Sequence, residues 1–285
     1  MDLPKPPGSS APALPPAVRA FDETAPRFDE RFGEWLSVSA QRRAVRRCLT
    51  DTFPAGGRLL ELGGGTGDDA LYMLERGYRV TLTDGSPRMV ERATAKLRQA
   101  GWDERAAPVE QVVLEELGAL AERRRARGEP SFDGAYSNFA ALNCVEDLTT
   151  LAAPLADLLR PGAACMLVVF GPFPPGEVLV ELLRGRPRSA FRRLRREAPA
   201  RIGREHFRVW YPSPGTVARA LAPHFTLRGM HGIGVLVPPS AAEPEISRFP
   251  RLVAALEAAD RVLAGPLARL ADHVLLHLER TATPA

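Results

Sequence analysis

Leu59-Leu60-Glu61-Leu62-Gly63-Gly64-Gly65-Thr66-Gly67-Asp68 leads into a helical segment and then into Arg79-Val80-Thr81-Leu82-Thr83-Asp84. Arg58 to Leu62 is a short apolar run suited to a buried parallel strand, and glycines follow at positions 63, 64, 65 and 67. Glycine there lets the backbone approach a ligand closely and take positive φ. Asp69 to Arg76 has helical composition, and its amino terminus directs amide groups into the turn. The second strand ends at Asp84, whose carboxylate is placed beside the first turn and can accept two ribose hydroxyls. A strand, a glycine turn, a helix and a strand ending in an acid predict an α/β fold with a nucleoside-binding crevice.

Spacing separates two ligand classes. A nicotinamide fingerprint needs G-x-G-x-x-G, yet counting from Gly63 and Gly65 the sixth position is Asp68. An acid is electrostatically wrong beside a pyrophosphate. The pattern present is E-x-G-x-G-x-G, from Glu61 through Gly63, Gly65 and Gly67, and carboxylates suit a sulfonium that carries an amino acid tail. S-adenosylmethionine is therefore the expected cofactor, with S-adenosylhomocysteine as its product.

At these residues the chain resembles the class I S-adenosylmethionine-dependent methyltransferases, of the small-molecule type found in bacterial specialised metabolism. The likeness covers residues 21–172 and 206–280. Thr83 to Met89 resembles the family's ribose-binding acid with the loop and helix that flank adenine. Phe132 to Asn143 resembles the fourth strand and the loop behind it, and Leu158 to Gly171 the turn into the fifth. The resemblance implies a Rossmann-like, doubly wound seven-stranded sheet in the order 3-2-1-4-5-7-6 with the last strand antiparallel. It also implies an N-terminal helical lid over residues 21–55 and a cap inserted after strand five at 173–205. Cofactor contacts carried over by position are Glu61, Gly63, Gly64, Gly65, Gly67, Asp84, Gly85, Ser86, Met89, Leu114, Glu115, Asn138 and Phe139.

Composition agrees with one elaborated domain. The chain has 285 residues, of which 45% are hydrophobic, an ordinary share for a globular core. Residues 1–20 are rich in Pro, Ala and Ser and read as a disordered tail without an export signal; residues 21–281 form the domain. No segment is long enough to cross a bilayer. Cys48, Cys144 and Cys165 lack metal spacing, which fits a reducing cytoplasm. His273 and His277 share a face of the expected last strand, but no acid or cysteine completes a ligand set, and the strand is placed at the sheet edge; no metal is expected.

Net charge is +4 with nine arginines between Arg184 and Arg204, a run that phosphates would attract. RNA or another nucleic acid is the alternative partner. It ranks below a small molecule because aromatics for base stacking are missing apart from Phe191. Ser137 to Ala140 also lacks the Asn-Pro-Pro-aromatic motif that this fold carries in amino-methylating nucleic-acid enzymes.

Further along, Pro87 to Ala100 reads as a helix, Val109 to Leu114 as strand three, Phe132 to Ser137 as strand four and Ala164 to Phe170 as strand five. His206 to Pro212 is expected to return the chain to the sheet, Phe225 to Val237 to supply a strand, and residues 239–271 to form a helical elaboration before His273 to Glu279. Insertions after strand five lie at the carboxyl ends of the strands, where open α/β sheets bind ligands. Methyl transfer needs alignment and exclusion of water, with a base only for a protonated nucleophile. His206, Tyr211 and His231 are the catalytic candidates. Phe28, Trp35, Asn143, Phe173 and Trp210 are the candidates for contact with a small organic acceptor through N, O or C, with an aromatic one favoured by the cap. Monomer and homodimer both remain open.

Overall fold

The structure, a computed structural model, describes residues 13–139 and 141–282. The chain begins with α1 (Pro16–Thr24), α2 (Phe28–Phe32) and α3 (Leu36–Thr52). In α3 the buried residues Ser37, Ala40, Gln41, Val45 and Leu49 recur at helical spacing, which lays one face on the sheet. Alternating strands and helices follow: β1 (Arg58–Leu62), α4 (Asp68–Leu74), β2 (Arg79–Asp84), α5 (Pro87–Gln99), β3 (Val109–Gln111), α6 (Leu117–Ala126), β4 (Phe132–Ser137), α7 (Ala152–Leu158) and β5 (Leu159–Phe170). Beyond β5 come α8 (Pro175–Leu183), α9 (Pro187–Ala190), β6 (Glu197–Ile202), β7 (Glu205–Trp210), α10 (Pro214–Leu221), β8 (Phe225–Ile233), α11 (Pro250–Leu263) and β9 (His273–Arg280).

Seven strands form one sheet in the order β3-β2-β1-β4-β5-β9-β8. With β8 and β9 taken as its sixth and seventh strands, this is the expected 3-2-1-4-5-7-6 order, and β9 runs antiparallel to both β5 and β8. Burial on both faces explains the continuous apolar runs. Leu60 and Leu62 of β1 face a core shared with Leu117, Leu155 and Val217, while Leu59 faces Leu49, Met73 and Leu97 on the other side.

Four expectations need correction. Residues 16–20 are helical, with Ala17 and Ala20 buried, so the tail cannot extend to residue 20; residues 1–12 lie outside the described residues. His206 to Trp210 does not rejoin the main sheet but pairs with Glu197–Ile202 as a separate antiparallel hairpin, so the cap reaches Trp210. That pairing satisfies β7's backbone groups locally, and the alternation of exposed His206 and Arg208 with half-buried Phe207 and Val209 suits a surface strand better than a buried one. Strand three ends at Gln111 rather than Leu114, because Leu114–Glu116 turns into a 3-10 helix. Finally, β9 is not at the sheet edge: it lies between β5 and β8 and starts, at His273, opposite the carboxyl end of β5, with His273 paired to Phe170.

Candidate active site

The turn after β1 is held from both sides. Gly64 N–H donates to Thr83 O at 3.0 Å, and Gly65 N–H to Asp84 Oδ2 at 2.9 Å. Gly63 has φ +64°, and a Cβ there would stand 2.4 Å from the Ala141 Cβ. Asp84 also accepts from Ser86 N at 2.9 Å. Burial raises its carboxyl above the usual range, opposed by these two backbone donors. The acid at the end of β2 is thus fixed in place by two backbone donors.

These residues form the floor of a cavity of about 740 Å³. Gly63, Gly65, Asp84, Gly85, Met89, Leu114, Glu115 and Phe139 line it, as does Phe28. Among the described residues, Asp84 and Glu115 are the only charged ones in the lining, and none is basic. Such a wall fits a nucleoside joined to a sulfonium and opposes a diphosphate. The apolar side chains Val18, Met89, Leu114 and Val145 suit a planar base.

The helical lid expected from residue 21 starts earlier, at Pro16. Pro15, Ala17, Val18 and Phe21 close the cavity, and Asp22 clamps the helix down: Asp22 Oδ1 accepts from Ser86 Oγ at 2.7 Å and from Arg88 N at 2.9 Å. The Ala17, Ala20 and Phe21 spacing was the available signal, obscured by the proline-rich stretch before it. Val113, Ala141, Cys144 and Val145 also line the cavity unannounced; they leave no local pattern because two separate 3-10 turns, at Leu114–Glu116 and Ala141–Cys144, bring them in.

Other residues carried over by position act beneath the cavity. Glu61 is 1% exposed, and burial, with the Asp69 charge, pushes its carboxyl well above its ordinary range. Ser86 caps α5 by accepting from Met89 N at 3.1 Å. Gly64 and Gly67 shape the turn without lining the cavity. Asn138 has both amide ends engaged: Nδ2 donates to Asp69 Oδ2 at 2.8 Å, and Oδ1 accepts from Phe139 N at 3.0 Å. It therefore holds Phe139, the one described non-glycine residue with positive φ, at +46°. Beside them Asp68 is ion-paired with Arg42 and Lys96. Burial would raise the Asp68 carboxyl, but these two cations hold it below its usual range.

A second cleft, of about 1420 Å³, adjoins the first at Val145. Trp210, Tyr211, Pro172 and Arg195 line it. The acceptor candidates scatter. Asn143 is buried as a brace, donating to Trp210 O at 2.6 Å and accepting from Phe170 N at 3.1 Å. Trp35 packs on Phe32, ring centroids 5.2 Å apart, and Phe173 is exposed; neither lines either cavity. Nor does the structure bring the three catalytic candidates together. His206 is exposed on the hairpin, Tyr211 faces the second cleft, and His231 lies in a different cleft between α3, β8 and α11, where burial first and then Arg47 lower its pKa.

Among the described residues no helix is long and apolar enough to cross a membrane.

Comparison with known proteins places this geometry. Residues 31–222 match the family model described as a methyltransferase domain. The S-adenosyl-L-methionine-dependent Diels-Alderase iccD of Talaromyces variabilis is 30% identical over 148 residues, covering 52% of this chain and 43% of that protein. The tRNA 5-carboxymethoxyuridine methyltransferase of Escherichia coli (strain K12) is 27% identical over 158 residues, covering 53% of this chain and 56% of that protein. The chain thus spans about half the length of the curated relatives it matches. In fold it is similar to the Burkholderia thailandensis 1,6-didemethyltoxoflavin-N1-methyltransferase, solved with 1,6-didemethyltoxoflavin and S-adenosylhomocysteine. That structure gives a TM-score of 0.52 at 22% identity over 96% of this chain and 93% of that one. With two thirds of its length inside the family model and the glycine turn, ribose acid and strand order in place, the chain belongs to the S-adenosylmethionine-dependent methyltransferase family.

Proposed function

We propose that the chain transfers a methyl group to a small organic acceptor by in-line displacement. The observation that carries this reading is the pair of adjoining cavities, an acid-floored one without basic residues and a larger one roofed by the cap. S-adenosylmethionine supplies an electrophilic methyl on a good leaving group. Asp84 would hold its ribose, and Gly63 and Gly65 would admit its backbone-facing side. Val18, Phe21, Met89 and Leu114 would cover its base and exclude water, which supports alignment as the main source of acceleration. Trp210 and Tyr211 are the assigned acceptor contacts, since they line the second cleft. His206 and His231 face neither cavity and receive no role.

The Arg184 to Arg204 run does not support a nucleic-acid reading. Arg192 and Arg193 are paired with Glu177 inside the cap and Arg184 with Glu245 beyond it, so three of the nine arginines already have carboxylate partners. We place the chain in a reducing cytoplasm, a reading supported by its three cysteines, which lack metal spacing. Incubation of purified protein with methyl-labelled S-adenosylmethionine and a metabolite extract is expected to give a labelled product of low molecular weight. Label found only in RNA, DNA or protein would overturn the proposal.

A further inference from the structure

The second cleft differs in charge from the cofactor cavity, whose charged lining is acidic. Arg193, Arg195, Arg196 and Arg219 line it, together with the carboxylates of Glu146 and Asp147. Arg193 is already engaged, paired with Glu177 and with Asp272 Oδ1, the latter at 2.7 Å. Arg195 and Arg196 are exposed, and among the described residues neither guanidinium has a hydrogen bond or an ion pair. The Arg219 guanidinium meets Thr216 Oγ1 at 3.4 Å and no carboxylate among the described residues.

Neither acid of the lining pairs with these three cations. Asp147 Oδ1 accepts from Thr149 N at 2.9 Å and from Thr149 Oγ1 at 2.7 Å. Glu146 acts on Arg208 of β7, whose pKa is raised first by Glu197 and then by Glu146. The backbone around the cations is braced: Arg196 O accepts from Tyr211 N at 2.8 Å, and Trp210 O accepts from Asn143 Nδ2. Arg195 and Arg196 come from the cap and Arg219 from the last turn of α10, so the cleft takes its unpaired cations from two separate elements. Each guanidinium presents a planar fork of donors that matches the oxygens of a carboxylate or a phosphate.

We propose that the second cleft selects acceptors carrying an oxyanion, a carboxylate or a phosphate ester, held by Arg195, Arg196 and Arg219, with Trp210 and Tyr211 against the rest of the molecule. This rests on the small-acceptor reading above. The anion is the anchor, and the atom that is methylated lies away from it, toward Val145, which both cavities share. Asp84 and Glu115 in the cofactor cavity repel the same anion, so charges of opposite sign at the two ends orient the acceptor.

The test divides a metabolite extract on an anion exchanger at neutral pH. Each fraction is offered, with methyl-labelled S-adenosylmethionine, to the wild-type protein, to the double variant Arg195→Gln with Arg196→Gln, and to Arg219→Gln. Calorimetric affinity for S-adenosylhomocysteine is measured beside it. The expected result is acceptor activity in the retained fraction. Both variants should need about tenfold more of that fraction for half-maximal labelling, with the same maximal rate and unchanged S-adenosylhomocysteine affinity. Phosphatase treatment of the fraction separates the two sources: labelling that survives it identifies a carboxylate, labelling that it abolishes identifies a phosphate ester, and either agrees with the proposal. Acceptor activity confined to the unretained fraction, or variants that reach half-maximal labelling at the wild-type amount, would overturn this assignment alone. Absence of any labelled small molecule, or label only in RNA, would overturn the underlying reading and this assignment with it. Variants that no longer bind S-adenosylhomocysteine would make these arginines structural residues and also refute the role.

Discussion

Asp84 is the proposed ribose acid, and its two oxygens already accept Gly65 and Ser86 N–H groups. Asp84→Ala removes charge-assisted bonds to ribose and should weaken S-adenosylhomocysteine binding by about 1–3 kcal/mol, read by calorimetry. Both glycines beside it, at φ +64° and +57°, carry a backbone cost for any side chain, and they differ in the space around it. A Cβ at Gly63 meets Ala141 at 2.4 Å, whereas one at Gly65 meets no atom within 4 Å. Gly63→Ala should therefore lower the melting temperature through overpacking, a cost of about 1–3 kcal/mol. In Gly65→Val the side chain should instead block the cofactor. Retained affinity in Gly65→Val would place the ligand elsewhere. At this scale the spacing of Gly63, Gly65 and Asp84 brings them to one cavity, while Glu61 of the same motif is buried beneath it. The sequence was not legible where partners are distant in the chain, as for Asn138, whose amide is consumed by Asp69, or for His273, which meets Phe139 only through the sheet.

Elements α1 and β9 carry the connections that no local pattern announces. Besides closing the cofactor cavity, α1 reaches the cap: Arg19 Nη2 meets Glu205 Oε2 at 2.8 Å, and the Phe21 ring lies 6.1 Å from the Phe207 ring. The partly exposed ion pair contributes little by itself, so the lid effect comes from buried apolar contact. Removal of residues 1–24 should weaken S-adenosylhomocysteine binding by at least about tenfold, or 1.4 kcal/mol, while the sheet keeps its far-ultraviolet circular dichroism. Unchanged affinity would mean that α1 is not the cover. At the start of β9, burial alone would raise the Asp272 carboxyl, but facing His273 and Arg193 hold it well below the usual carboxylate range. A depressed folded pKa contributes stability above the unfolded value, near 3.9, and that contribution is lost as pH falls. Asp272→Asn should thus cost about 3 kcal/mol at neutral pH by leaving Arg193 underpaired, and its melting-temperature deficit should shrink in acid. A deficit independent of pH would contradict the ion-pair account. Strands β1, β2, β4 and β5 were readable because burial on both faces demands apolar runs. The hairpin of β6 and β7 was not, since Pro199, Arg201 and Arg208 carry no core signature.

Across the whole molecule, the sheet brings the carboxyl ends of β1, β2 and β4 to one cavity, while the cap, the turn after β4 and α10 frame the neighbouring cleft. The order of strands followed from four motifs read in sequence. The acceptor did not, because the lining of the second cleft is assembled from the turn after β4, the cap and α10, segments whose separate sequences bear no common pattern. The most direct test of the account is calorimetric titration of the wild-type protein and Asp84→Ala with S-adenosylhomocysteine, with NADH as control. Binding of S-adenosylhomocysteine alone, weakened in Asp84→Ala, is the predicted result. Binding of NADH in its place, or S-adenosylhomocysteine binding untouched by Asp84→Ala, would contradict it.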